Sequence, residues 1–161
     1  ACVVDPSEAQ PIINYLEKNN IQQMILLIAA SNLLNKPLKY IVKSHPSCPF
    51  RQEDYGDLEI EITSDPISEL LRKSDFVYTS STTSGAVDAY CAGKLVVTIL
   101  DPNGLNLSPL KGREDVSFVS TPEELADVLN ETVQTGVTEG QGKDYYYLDS
   151  DLPRWRTLIE E

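Results

Sequence analysis

A chain of 161 residues, 41% apolar and 24% charged, is long enough for one complete core and has the composition of an ordinary globular domain. Its net charge of −12 at pH 7 excludes a nucleic-acid groove, which needs a basic field, and disfavours docking on anionic lipid. The longest uninterrupted apolar run, Met24 to Ala30, falls far short of the roughly 20 residues that span a bilayer. No secretory signal is visible, so the expected location is cytoplasmic, with no membrane span. The chain opens on Ala1 with no initiator Met, as a processed protein or an excised domain would. Cys2, Cys48 and Cys91 show no metal-ligand spacing and read as reduced, partly buried thiols.

Strand-like and helix-like segments alternate along the chain. Ala1 to Val4 reads as a short first strand, followed by a helix around Ile12 to Lys18 and a second, more apolar helix from Ile21 to Leu34 that Pro37 ends. Lys39 to Lys43 crowds Tyr, Ile and Val with no helical period, so it reads as a strand. Pro46, Pro49 and Gly56 mark a loop, and Leu58 to Thr63 alternates acidic with aliphatic residues as a half-exposed strand does. Ser64-Asp65-Pro66 introduces a short helix over Ile67 to Lys73, with Glu69 near its positive end. Asp75 to Thr79 is the next strand. Ser84 to Ala92 is a helix of small residues with Gly93 as its stop. Leu95 to Leu100 is an unbroken apolar run of the kind buried on both faces, and Val116 to Val119 is a short strand. Thr121-Pro122-Glu123-Glu124 opens a helix that runs to about Gln134.

This alternation predicts an α/β, Rossmann-like three-layer sandwich built on a mostly parallel sheet. Residues 1–134 form the domain in this reading, and residues 135–161 a Gly-rich linker and a C-terminal tail or helix. Ligands of such sheets sit at the carboxyl ends of the strands, and two polar motifs fall at such ends. Lys43-Ser44-His45-Pro46 follows Tyr40-Ile41-Val42 and contains the one histidine of the chain. The proline forces an extended or turn conformation on His45, which suits a side chain projecting from a sheet edge. Its imidazole can donate to a phosphate oxygen, and an ordinary loop histidine bonded to a carbonyl is the competing reading.

Ser80-Ser81-Thr82-Thr83-Ser84-Gly85 follows Phe76-Val77-Tyr78 and leads into a helix. Hydroxyls, free backbone N–H groups and the helix dipole can together hold phosphate there, and Gly85 lets backbone approach a ligand closely. A helix cap alone needs one hydroxyl, so this run is more than capping requires. Asp88, one turn on, can accept from ribose hydroxyls or simply favour the positive end of the helix. Lys43, Lys94 and Arg113 are candidate charge partners for an anion. There is no acidic pair of metal-binding type at this edge. Asp149-Ser150-Asp151 has such spacing but lies in the tail, so no metal or cofactor is expected.

From Tyr40 to Val97 the chain resembles the carboxy-terminal, donor-binding half of GT-B glycosyltransferases, above all bacterial sialyl-, polysialyl- and Kdo-transferases of surface carbohydrate synthesis. The likeness is carried by Val42 to Pro46, Asp65 to Leu71, Ser74 to Val77, Ser80 to Thr83, Asp88-Ala89 and Gly93-Lys94. It implies that His45, Ser80, Ser81, Thr82 and Thr83 contact the donor phosphate and that Asp88 and Gly85 lie against the ribose or sugar. The donor implied is CMP- or otherwise nucleotide-activated, and the product a surface polysaccharide. In such enzymes the base that activates the acceptor comes from an amino-terminal domain, and no catalytic residue stands out here. The expected partner is therefore that acceptor-binding domain, and the chain alone is a glycosyltransferase part not expected to turn over. A regulatory nucleotide-sugar-binding module and half of a GT-B-type epimerase are the alternatives.

Overall fold

The computed structural model describes residues 21–43, 51–81, 83–135, 145 and 157. The expected strand at Ala1–Val4, the helix around Ile12–Lys18, the His45 motif, Thr82 and most of the C-terminal tail lie outside the described residues.

Residues 21–31 are helical and are called α1. The helix stops short of the expected Leu34 because side chains compete for its carbonyls: Ser31 Oγ and Asn32 Nδ2 both donate to the Ile28 carbonyl oxygen, at 2.7 and 3.1 Å. Next come β1 (Tyr40–Lys43), a single 3₁₀ turn at Gln52–Tyr55, β2 (Ile60–Thr63) and α2 (Ile67–Lys73). They are followed by β3 (Phe76–Ser80), α3 (Ser84–Cys91), β4 (Leu95–Ile99), β5 (Val116–Val119) and α4 (Pro122–Thr135).

All described strand pairs are parallel. β1 pairs with β2, Tyr40 opposite Ile60 and Lys43 opposite Thr63. In a second sheet β4 lies between β3 and β5, with Val97 opposite both Tyr78 and Ser117. No described strand pairs β1 with β3, so the expected single sheet is present as two parallel ladders. They are nevertheless joined by packing. One apolar cluster takes Tyr40 from β1, Val97 and Ile99 from β4, Val119 from β5, Leu26 and Leu27 from α1, and Leu125 and Leu129 from α4.

Strand alternation sends neighbouring side chains to opposite faces. In β4, Val97 and Ile99 enter that first cluster, while Val96 enters a second one with Ala86, Val87, Ala89 and Tyr90 of α3 and Leu71 of α2. Helices α1 and α4 therefore cover one face, and α2 and α3 the other. This is the three-layer, Rossmann-like α/β arrangement. The β4–β5 connection carries no helix, and Leu110, fully buried, fills the space beside α3 where one would pack.

Two local devices fix helix ends, one at the close of α3 and one at the start of α4. After α3 the chain turns through Gly93 at φ 72°, its N–H bonded to the Tyr90 carbonyl and the Lys94 N–H to the Ala89 carbonyl. That double bond is the Schellman arrangement, and its left-handed residue favours glycine. Before α4, Thr121 Oγ1 accepts from the Glu124 N–H while the Glu124 carboxylate accepts from the N–H groups of Ser120 and Thr121. This is a capping box.

Candidate functional site at the carboxyl ends of the strands

Short connections lead from β2 to α2, from β3 to α3 and from β5 to α4, so three helix N-termini collect where the parallel strands end. An N-terminal turn leaves backbone N–H groups unsatisfied and carries a partial positive charge. The three ends are not equivalent. At α4 the capping box closes the end with the protein's own carboxylate. At α2 Pro66 removes a donor and Glu69 adds an acid to the first turn. At α3 no side chain caps the helix and the first turn holds no acidic residue.

The hydroxyl-rich turn forms that open end. Ser80 closes β3, Ser81 is partly buried beside it, and Thr83 takes the N-cap position in an extended conformation. Thr83 does not use its oxygen for the helix: its hydroxyl points back to the Ser80 carbonyl at 3.4 Å. The N-cap backbone is thus set for capping while the capping acceptor is turned away. Beneath the turn, Thr79 and Thr98 are buried with their hydroxyl oxygens 3.4 Å apart, tying β3 to β4 at the level of the site.

Gly85 was expected to open the backbone to a ligand, and the structure gives it a packing reason. A Cβ built there would lie 3.3 Å from Ile67 Cδ1, so the missing side chain lets the starts of α2 and α3 approach closely. Lys43, exposed at the end of β1, donates from Nζ to the Asp65 carbonyl at 2.7 Å and so ties that strand end to the segment before α2. Asp88 is exposed on α3 and lines an open cavity of about 550 Å³ between α2 and α3, together with Ser68, Arg72, Cys91 and Lys94.

Ser80, Ser81, Thr83 and Gly85 are therefore brought together at one helix start, with Asp88 a turn away on the side facing α2. The two other candidate charge partners sit elsewhere. Lys94 and Arg113 precede β4 and β5 and so belong to the amino edge of the sheet, opposite the hydroxyl turn. Arg113 is engaged there: its guanidinium carbon lies 5.6 Å from the Tyr90 ring centroid and 5.4 Å from that of Tyr145. The two rings meet edge to face at 5.9 Å, and Tyr145 donates its hydroxyl to the Pro109 carbonyl. Burial, then the Asp115 carboxylate that Tyr90 donates to, push the Tyr90 phenol above its ordinary range, with Arg113 opposing.

Sequence reasoning did not find this clamp, because Tyr90, Arg113 and Tyr145 are far apart in the chain. It also passed over the capping box, although the Thr121–Glu124 spacing carried its signature. Among the described residues no group of His, Cys, Asp and Glu could hold a metal ion. Nor is any helix among them long and apolar enough to cross a membrane. Comparison with known protein families, with curated proteins and with solved structures finds no match to this chain.

Proposed function

We propose that this chain is the donor-binding domain of a glycosyltransferase, holding a nucleotide-activated sugar, of the CMP type by resemblance, for synthesis of a bacterial surface polysaccharide. The observation that carries the reading is the open N-terminus of α3. Of three helix starts at the strand ends it alone lacks a proline, an acid and a side-chain cap, and it is the one preceded by Ser80 to Thr83. In this reading the donor phosphate sits on the α3 backbone N–H groups, with hydroxyls of Ser80, Ser81, Thr82 and Thr83 donating around it. His45, which follows β1, donates from the strand end of the other ladder and in its charged form stabilises the departing nucleotide phosphate. The domain fixes the donor's orientation, and the base that activates the acceptor hydroxyl is supplied by another domain.

Calorimetric titration with CMP-, UDP- and GDP-sugars tests this. Saturable binding of one of them, weakened at least about tenfold in Ser81→Ala and in His45→Ala, is expected. Binding that both variants leave untouched contradicts the assignment. Turnover by the chain alone contradicts the division of labour between domains.

A further inference from the structure

Among the described residues β1 bonds only to β2, and β3 only to β4, so each keeps one edge without a ladder partner. Both strands nevertheless lie over one core. Tyr40 and Val42 of β1 and Phe76 and Tyr78 of β3 meet the same apolar cluster as Val97 and Val119.

The handedness of parallel crossovers fixes how the strands are ordered. Such connections are right-handed in about 98% of cases, so crossovers on one face of a sheet step in one direction and those on the other face step back. α2 joins β2 to β3 and α3 joins β3 to β4, both on the face that carries Leu71 and Tyr90. β2 therefore lies on the side of β3 away from β4. The β1–β2 connection crosses the other face, where its Tyr55 is buried in one cluster with Leu26 and Leu27 of α1. It steps the opposite way, so β1 is nearer to β3 than β2 is, and the open edges of β1 and β3 face each other. α1 lies on that same face and leads into β1. By the same rule the strand before α1 reaches β1 by stepping away from β3, which puts it between them.

Residues 1–20 precede α1 and contain one strand-like run, Ala1-Cys2-Val3-Val4, apolar and β-branched as a strand buried on both faces is. Residues 5–20 are interrupted by Pro6 and Pro11 and carry charge at Asp5, Glu8, Glu17 and Lys18. The run Tyr145-Tyr146-Tyr147 also has β propensity, but Tyr145 is held on the opposite face, against Tyr90 of α3.

We propose that Ala1–Val4 docks as a parallel central strand between β1 and β3 and joins the two ladders into one sheet, in the order β2, β1, Ala1–Val4, β3, β4, β5. Its function is to position the two halves of the site. With one strand between them, the ends of β1 and β3 lie about 10 Å apart at the usual strand spacing. His45 follows one end and the hydroxyl turn the other, a separation that an imidazole and a serine hydroxyl can close around one phosphate. Strand order reverses at this point, and ligands of open α/β sheets bind in the crevice at such a reversal. The positioning role rests on the donor reading, whereas the strand itself rests on the topology alone.

Nuclear Overhauser contacts between backbone protons of the isotopically labelled full chain test the strand. Cys2, Val3 and Val4 are expected to show contacts both to Ile41 and Val42 of β1 and to Val77 and Tyr78 of β3. Contacts to one ladder only, to an outer edge at β2 or β5, or to neither ladder overturn the proposal. Cys2 gives an independent readout. Its alkylation by iodoacetamide, followed by peptide mass spectrometry to separate it from Cys48 and Cys91, should run at least about a hundredfold slower in the folded chain than in urea. Equal rates overturn the proposal. Calorimetric titration with a CMP-sugar keeps the two readings apart. Contacts to both ladders in a chain that binds no nucleotide-sugar support the strand and overturn the donor reading. Binding by a chain without those contacts keeps the donor reading and overturns the strand.

Discussion

Replacing Thr83 by Asp separates stability from binding at one position. Thr83 has the extended backbone of an N-cap, but its hydroxyl is turned to the Ser80 carbonyl and leaves the first N–H groups of α3 without a side-chain acceptor. An Asp carboxylate there can accept from an N–H of the first turn, worth about 1 kcal/mol, with a few tenths more from the helix dipole at an exposed end. A total of about 1.3 kcal/mol corresponds to roughly a ninefold gain in the folding equilibrium. The same carboxylate would lie about 4 Å from a bound phosphate. Repulsion at that separation is about 1 kcal/mol per charge pair in water and about 4 kcal/mol at a partly shielded surface site. Thr83→Asp should thus bind a nucleotide-sugar at least about tenfold more weakly while resisting urea better. Urea unfolding followed by circular dichroism, paired with calorimetric titration, reads both quantities. A variant that is stabilised yet binds the donor as the wild type does refutes the placement of the phosphate. One that is neither stabilised nor weakened refutes the open N-terminus itself.

The capping box predicts the opposite outcome at α4. Glu124→Ala frees the N–H groups of Ser120 and Thr121 and should cost about 1 kcal/mol in urea unfolding, with donor affinity unchanged. Leu129→Ala, in the core between α4 and the strands, should cost about 2–5 kcal/mol, whereas Leu105→Ala on the exposed β4–β5 loop should fall within about 0.5 kcal/mol of the wild type. Burial raises the phenol pKa of Tyr40 and Tyr78 above the ordinary 10.0, and burial together with Asp115 raises that of Tyr90. The folded state therefore holds these protons longer than the unfolded state. Their contribution is intact below pH 10 and is lost as pH rises beyond it, so stability measured by urea unfolding should decline above about pH 10. Tyr78→Phe should make that decline shallower.

Much of the second half of the fold was legible because local signals agreed. Pro66 and Glu69 marked the start of α2, and the structure has it over Ile67–Lys73 as expected. The strand expected over Leu95 to Leu100 spans Leu95–Ile99, and the Gly93 stop and the Pro122 start also fell where their chemistry put them. The hydroxyl turn at α3 was readable because five hydroxyl residues in one turn exceed what a cap needs. Features that depend on distant pairing were not readable. Nothing local in Tyr90, Arg113 or Tyr145 announces that they stack, whereas the position of Lys94 and Arg113 at the edge opposite Ser80 already followed from their place before the expected strands at Leu95 and Val116. The separation into two ladders is likewise a matter of which strands meet, which strand-by-strand periodicity does not encode.

The placement of the donor is tested most directly by amide chemical shifts of the full chain during titration with a CMP-sugar. The account predicts saturable shifts concentrated at Ser80, Ser81, Thr83, Ser84 and Gly85 and at His45, with the start of α4 unmoved. Shifts that gather at Ser120 to Glu124, or anywhere away from the α3 N-terminus and His45, would contradict it.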